Sequence, residues 1–251
     1  MKILVTGHLG YIGQHLIKEL ENIGEVIGID LKEGNDILDY DLPDVDLVVH
    51  LAAQPGVLMS MEEPTETVRT NTLGTVRLSE KYKDTKFIFA STGGAIQDTI
   101  PSPYGLSKYC AEMFVKMLFN DYVILRFANV YGKEGSRSVI DKFIKEDIVI
   151  FGDGKQTRTY VHVNDLIRGI IQAIEWPKGE YYFGSEENYT VLELAEATGK
   201  PYTFIPFKEG ELMYSSLDNT TPNWKPKINI IEYIKNGWIK YFNTCKKWNV
   251  S

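Results

Sequence analysis

Tyr104-Gly105-Leu106-Ser107-Lys108 sets a phenol and an ammonium four residues apart, which on a helix puts both on one face. A tyrosine with its ordinary pKa of about 10 acts as a base near neutrality only beside positive charge, and a lysine at this spacing supplies it. Spacing alone is a cheap signal, because 15 tyrosines in a lysine-rich chain give about one such pair by chance. Tyr82 and Lys86 form a second one. They fall where a helix should end and the strand Phe87-Ile88-Phe89 begin, and read as surface chemistry. Tyr104 instead follows Pro101-Ser102-Pro103 at a helix start, shortly after the same strand delivers the hydroxyls of Ser91 and Thr92.

A second constellation lies at the amino-terminal end. Thr6-Gly7-His8-Leu9-Gly10-Tyr11-Ile12-Gly13 places glycines three apart where the first strand should turn into a helix. Glycines permit the tight turn and close backbone approach, and free N–H groups at the following helix start attract a pyrophosphate. Asp30 ends the second expected strand. A carboxylate there accepts hydrogen bonds from an adenosine ribose and repels a 2′-phosphate, favouring NAD over NADP. Taken alone, Asp30 would equally serve to cap the following turn.

The elements that must position these groups are legible from periodicity. Short Val-, Ile- and Phe-rich runs at Lys2 to Val5, Glu25 to Ile29, Asp46 to His50, Lys86 to Ala90 and Val123 to Phe127 read as strands buried on both faces. Stretches from about Tyr11 to Asn22, Glu66 to Tyr82 and Tyr104 to Phe119 have helical spacing. Strand alternating with helix implies a Rossmann-type, doubly wound α/β fold with a parallel sheet. Residues 1–128 are expected to form this domain. After Phe127 the pattern becomes irregular, with Gly152-Asp153-Gly154 as a turn, so residues 129–251 are expected to be mostly a small C-terminal substrate lobe. Segments around 155–175 should return to the first domain. The tail from Ile228 to Ser251 reads as a docked amphipathic helix.

Composition bounds the function. At 251 residues, 43% hydrophobic and 24% charged, the chain is an ordinary globular one. A net charge of −7 and a pI of about 5.2 argue against a nucleic-acid partner. Cys110 and Cys245 are the only cysteines, so neither a disulfide framework nor a Cys/His metal site is expected. The amino terminus enters Ile3-Leu4-Val5 without a signal-peptide layout, and no apolar stretch approaches the roughly 20 residues that span a bilayer. A cytoplasmic location with no membrane partner is the expectation.

Thr6 to Gly13 resembles the T-G-x-x-G-x-x-G signature of extended short-chain dehydrogenase/reductases, the NAD-dependent epimerase/dehydratase family of UDP-glucose 4-epimerase-like type. Other segments match in order. Asp36-Ile37 resembles the adenine-contacting pair, His50-Leu51-Ala52-Ala53 the loop lining the cofactor, and Asn71-Thr72-Leu73-Gly74-Thr75 the N-x-x-G-T element. The resemblance implies NAD contacts from Gly7, Gly10, Tyr11, Ile12, Gly13, Asp30, Asp36, Ile37, Leu51, Ala52, Ala53, Asn71, Tyr104 and Lys108. One departure is plain. Only five residues separate Asp30 from Asp36, where this family has a helix and another strand, so the adenine side is abbreviated.

The same resemblance makes Thr92, Tyr104 and Lys108 the catalytic set, with Ser91 as the fallback hydroxyl. Gly93-Gly94-Ala95 then stands where similar dehydratases carry Asp-Glu and similar decarboxylases a glutamate; the glycine pair is similar to many sugar 4-epimerases. Gln97 departs from the usual tyrosine of V-Y-G. Leu125 to Gly132 resembles L-R-x-x-N-V-Y-G and Phe151 to Val163 resembles G-D-G-x-Q-x-R-x-Y-x-H-V, which gives substrate contacts to Thr92, Gly93, Asn129 and the guanidinium fork of Arg158. His162 and Asp165 read as structural. Lys208 replaces an expected arginine, and Trp224-Lys225-Pro226 resembles W-x-P. These matches imply an NAD-dependent nucleotide-sugar epimerase acting on a UDP- or dTDP-hexose through a 4-keto intermediate. A keto-sugar reductase of the same family and a non-catalytic dinucleotide-binding protein are the alternatives. A homodimer through the helices at about 66–82 and 104–119 is expected too.

Overall fold

The computed structural model describes residues 1–95, 102–132, 135–207, 213–215, 217, 221 and 223–237. The chain divides into two compact units, the first made of Met1–Phe127 and Ile167–Tyr182, the second of Ala128–Leu166 and the residues from Phe183 onward. The returning segment is therefore 167–182. Residues 155–166, expected to return with it, pack within the second unit, where the strands that contain them find partners.

In chain order the first unit contains β1 (Lys2–Thr6), α1 (Gly13–Leu20), β2 (Glu25–Ile29), β3 (Leu47–His50), α2 (Val57–Glu62), α3 (Pro64–Val68), α4 (Gly74–Tyr82), β4 (Lys86–Thr92), α5 (Pro103–Leu118) and β5 (Tyr122–Phe127). A six-stranded sheet runs β2-β1-β3-β4-β5, with Gly179–Phe183 at its far edge. β1 pairs in parallel with β2 and β3, and β4 with β3 and β5. The strands are near-continuous apolar runs because helices cover both faces. Leu4, Val48, Phe87, Phe89 and Ile124 pack with Leu78, Tyr82, Ala111, Val115 and Phe119, and Phe87 stacks on Phe119 with centroids 4.0 Å apart.

Two departures from periodicity matter for the site. Residues 66–82 do not form one regular helix. A single π-helical turn, Arg69–Leu73, separates α3 from α4, and such insertions recur at functional sites. Between β2 and Asp36 there is only a short 3-10 turn, Leu31–Glu33, closed by Gly34 in the left-handed conformation at φ 79°. No strand follows it there, so β2 is the sheet edge. Reversal of strand order at β1 and β3 creates a crevice at their carboxyl ends, the usual ligand position in such sheets.

The second unit has its own core of Tyr131, Ile140, Phe143, Ile150, Tyr160, Leu194 and Ile234. Within it Asn129–Tyr131 pairs in parallel with Tyr160–His162, and Thr157–Arg158 lies between Tyr189–Thr190 and Tyr214–Ser215. Asp165 accepts the Lys227 and Ile228 N–H groups, both at 2.9 Å, and its carbonyl takes the indole N–H of buried Trp224. Its structural role and that of Trp224 follow. Of the expected tail helix from Ile228 to Ser251, residues 230–237 are helical, 228 and 229 precede the helix, and 238–251 lie outside the described residues.

Candidate active site

The glycine-rich turn is sterically obligatory. Gly7 has φ 73°, and a methyl group on it would sit 2.7 Å from the Ala52 nitrogen. One on Gly13 would run into the Gly7 and His8 carbonyl oxygens. No side chain caps the first turn of α1; its Gln14 and His15 N–H groups bond back to the Gly10 and Ile12 carbonyls, both at 3.1 Å, so a ligand anion would be met by the Ile12 and Gly13 N–H groups ahead of them. Asp30 braces this turn. It accepts the Leu9 N–H at 2.9 Å and, as the cap of the 3-10 turn, the Lys32 N–H at 2.9 Å. The Lys32 ammonium returns to the Leu9 carbonyl at 2.8 Å. The turn-capping reading of Asp30 is thus realised, and each carboxylate oxygen keeps a lone pair for a ribose hydroxyl.

Asp36 and Ile37 dock against the segment after α3. Arg69 donates to Asp36 at 2.7 Å and Leu38 N–H at 3.0 Å. Partial burial pushes the Asp36 carboxyl upward, but the Leu38 N–H and the guanidinium outweigh it and hold it below the ordinary value. Buried Ile37 fills the space left by Gly74, where a Cβ would meet its Cδ1 at 2.5 Å.

A directed hydrogen-bond chain crosses the sheet at His50. Thr75 donates to the Asn71 carbonyl at 2.7 Å, so its oxygen accepts from His50 Nε2–H at 3.1 Å. His50 Nδ1 must then accept from the Thr6 hydroxyl at 2.6 Å, whose oxygen accepts the Ala52 N–H at 3.3 Å. Burial, reinforced by the Lys108 charge, lowers the His50 pKa to about 3, so the ring is the neutral Nε2–H tautomer. Leu51 is fixed as well, donating its N–H to the Thr6 carbonyl at 3.0 Å. Ala53 is half-buried in the same loop.

Asn71, expected as a cofactor contact, has its amide engaged within the protein. It is fully buried; its Nδ2 donates to the Gln54 carbonyl at 3.2 Å and to Ser107 Oγ at 2.9 Å, while its Oδ1 accepts the Gln54 N–H at 2.8 Å. Both amide hydrogens are spent inside the protein. Asn71 therefore braces the loop after β3 against α5. Ser107, in turn, donates to the Tyr104 carbonyl at 2.8 Å.

Tyr104 and Lys108 share one face of α5, whose start is set by Pro103 and by Ser102 Oγ, which accepts the Gly105 N–H at 3.2 Å. Burial pushes the Tyr104 phenol up to about 12, against the opposing influence of the Thr92 side chain. Burial likewise depresses Lys108 to about 7, against the pull of the Glu112 charge. The Lys108 ammonium lies 4.4 Å above the Phe89 ring, with no hydrogen-bond acceptor of its own among the described residues. Thr92 closes β4, and its Oγ accepts the Gly94 N–H at 3.3 Å, with Gly93 between them. Ser91, the fallback, donates its hydroxyl to buried Glu112 at 2.5 Å. Thr92 is therefore the hydroxyl left to face Tyr104.

The other tyrosine–lysine pair is not surface chemistry. Tyr82 is buried, donating to the Pro43 carbonyl at 2.7 Å, and Lys86 bonds Asp121 and the Trp176 carbonyl. In the second unit Asn129 donates to the Thr159 carbonyl at 3.0 Å, next in chain to half-buried Arg158, which bonds the Thr157 carbonyl at 2.8 Å. The two expected substrate residues are thus neighbours. Gln97 and Lys208 lie outside the described residues. Among those described there is no group of metal-ligating side chains, and no helix is long and apolar enough to cross a membrane.

A glycine cradle that any Cβ would fill, a helix start without a side-chain cap and a nearly buried ammonium without an acceptor among the described residues fit NAD. This constellation on a Rossmann-type sheet is that of a short-chain dehydrogenase/reductase, and the chain belongs to the NAD-dependent epimerase/dehydratase family, which matches residues 3–183. It is similar to the UDP-glucose 4-epimerase of Mycolicibacterium smegmatis, with 30% identity covering 93% of this chain and 96% of that one. Among solved structures, the UDP-glucose 4-epimerase of Thermotoga maritima with UDP-glucose has 31% identity and a TM-score of 0.83, covering 98% of this chain and 100% of that one. The UDP-glucuronic acid 4-epimerase of Bacillus cereus, in complex with UDP-glucuronic acid and NAD, has 30% identity and a TM-score of 0.84 over the same shares. The alignment to the M. smegmatis protein runs to 302 positions against 251 residues here, so this chain carries deletions, in keeping with its shortened adenine side.

Proposed function

We propose that the protein is an NAD-dependent nucleotide-sugar epimerase that inverts C4 of a UDP- or dTDP-hexose. The observation that carries this reading is Thr92 facing Tyr104 and Lys108 at the end of β4, followed by Gly93-Gly94 with no carboxylate to drive elimination. Tyr104 would take the C4 hydroxyl proton, with Thr92 bridging the sugar oxygen and the phenol, and the Lys108 ammonium would stabilise the phenolate. NAD, when bound, supplies the acceptor for the C4 hydride and returns it, so none is consumed. The 4-keto sugar must present its other face before Tyr104 returns the proton. Gly7, Gly10, Tyr11, Ile12 and Gly13 would hold the pyrophosphate, Asp30 the ribose, Asp36 and Ile37 the adenine, Leu51 to Ala53 the nicotinamide side, and Tyr104 and Lys108 the second ribose.

Asn129 and Arg158 are assigned the substrate diphosphate, Arg158 through its two-pronged donor geometry. We assign the protein a role in carbohydrate metabolism and a cytoplasmic location. A homodimer is proposed through the apolar side chains exposed on α5, Leu106, Tyr109, Phe114 and Met117, together with Val68 and Leu73, since exposed apolar faces of this kind mark association surfaces. Light scattering on the purified protein should give twice the mass of one chain; the mass of a single chain would refute the dimer. The reaction is tested by incubating the protein with NAD+ and a panel of UDP- and dTDP-hexoses, their N-acetyl and uronate forms included. The expected outcome is interconversion of one C4 pair.

A further inference from the structure

Glu112 lies one turn beyond Lys108 and two beyond Tyr104 on α5, and is wholly buried. Its carboxylate accepts from Ser91 Oγ at 2.5 Å and Arg126 Nε at 2.9 Å, and its second oxygen accepts from Arg126 Nη2. Arg126 continues to the Tyr182 hydroxyl and, at 2.8 Å, to Glu180, which also pairs with Lys116. One carboxylate thus ties α5 to β5 and to the residue before Thr92. An ion pair is a poor way merely to fill a core, because well-packed apolar side chains of the same volume are often as stable or more so. Its placement carries the information: Ser91 is the chain neighbour of Thr92, and Glu112 is the negative charge that offsets the desolvation of Lys108.

We infer that Glu112 is a positioning residue of the catalytic set, fixing α5 against the end of β4 so that Thr92 meets Tyr104, and setting a buried negative charge one helical turn from Lys108. The inference rests on the proton-transfer reading of Tyr104 and Lys108 given above. Glu112 from α5 acts on Lys108 directly, the Phe89 ring of β4 lies against its ammonium, the neutral His50 of β3 feels its charge, and Arg126 from β5 stands behind Glu112. Removing the Glu112 charge takes away the favourable partner and leaves Arg126 positive; both disfavour a second cation. Lys108 then loses its proton at lower pH. Since the Tyr104 phenolate needs that ammonium, the alkaline limb of kcat must move down with it.

Glu112→Gln keeps the shape and can still accept from Ser91. Carbon-13 NMR of lysine-labelled protein, with the Lys108 resonance identified by its loss in Lys108→Met, reads the ionisation without turnover. The Lys108 midpoint, about 7 in the parent, falls by about one pH unit in Glu112→Gln. kcat near neutrality falls about 10- to 100-fold, and KM for the sugar nucleotide changes less than about two-fold. A second variant, Glu112→Leu with Arg126→Met, fills the same space with apolar side chains and removes both charges; it folds and shows low kcat. A parental Lys108 midpoint in Glu112→Gln, or parental kcat in the apolar pair, overturns the inference. Because the NMR titration needs no substrate, a parent that turns over no nucleotide sugar refutes the reaction assignment while the midpoints still decide the role of Glu112.

Discussion

Tyr104 and Lys108 are both pushed by burial toward their neutral forms, the phenol to about 12 and the ammonium to about 7. The protein without cofactor is therefore poised against the ion pair that catalysis needs, and positive charge supplied beside the phenol tips it back. Tyr104→Phe should lower kcat about 1000-fold, within the range for loss of a general base, while NAD affinity, measured by calorimetry, falls only several-fold, as the loss of one ribose hydrogen bond requires. A variant with parental turnover would remove Tyr104 from the chemistry. At this scale the sequence was informative where residue type and spacing coincide, as in Tyr104 and Lys108, and silent where tertiary partners decide. Nothing in Asn71 itself announces that its amide is consumed by Gln54 and Ser107. A Glu112 read in isolation is a solvated helix charge. Its spacing of four from Lys108 and eight from Tyr104 was the available signal, and it needed Arg126 on a neighbouring strand to acquire meaning.

Strands β1, β3, β4 and β5 were legible because each is an apolar run too short for a helix and buried on both faces. The π-helical turn at Arg69–Leu73 was not, since one inserted residue scarcely disturbs a hydrophobic period. His50 couples β1, β3 and α4, and its neutrality makes that coupling sensitive to acid. Its folded-state pKa, about 3, lies below the unfolded value of 6.5. The stabilisation is therefore intact above about pH 6.5 and is lost as pH falls toward 3, at about 1.4 kcal/mol per pH unit. Urea unfolding of His50→Gln between about pH 6 and 5 should show a slope shallower than the parent by that amount; equal slopes would mean the ring is already charged in the fold. At the adenine side, Gly74→Ala places a methyl group against Ile37 and should weaken NAD binding several-fold with kcat at saturating NAD unchanged. Unchanged NAD affinity would remove Asp36 and Ile37 from the cofactor site.

Across the whole molecule, the five-residue spacing between Asp30 and Asp36 foretold a missing strand, and β2 is indeed the edge of the sheet. The limits of the second unit were harder to read, because short two- and three-residue strands such as Thr157–Arg158 carry no period of their own and exist only through their partners. The account's central claim concerns the fate of the cofactor over a full turnover. Purified protein with NAD+ and UDP-glucose, together with the other sugar nucleotides of the panel, should be followed by proton NMR for the sugar and by near-ultraviolet absorbance for reduced nicotinamide. The account predicts the C4 epimer of one substrate accumulating to equilibrium with no net reduced cofactor. Reduced cofactor formed in proportion to a keto-sugar product, or no conversion across the panel, would contradict it.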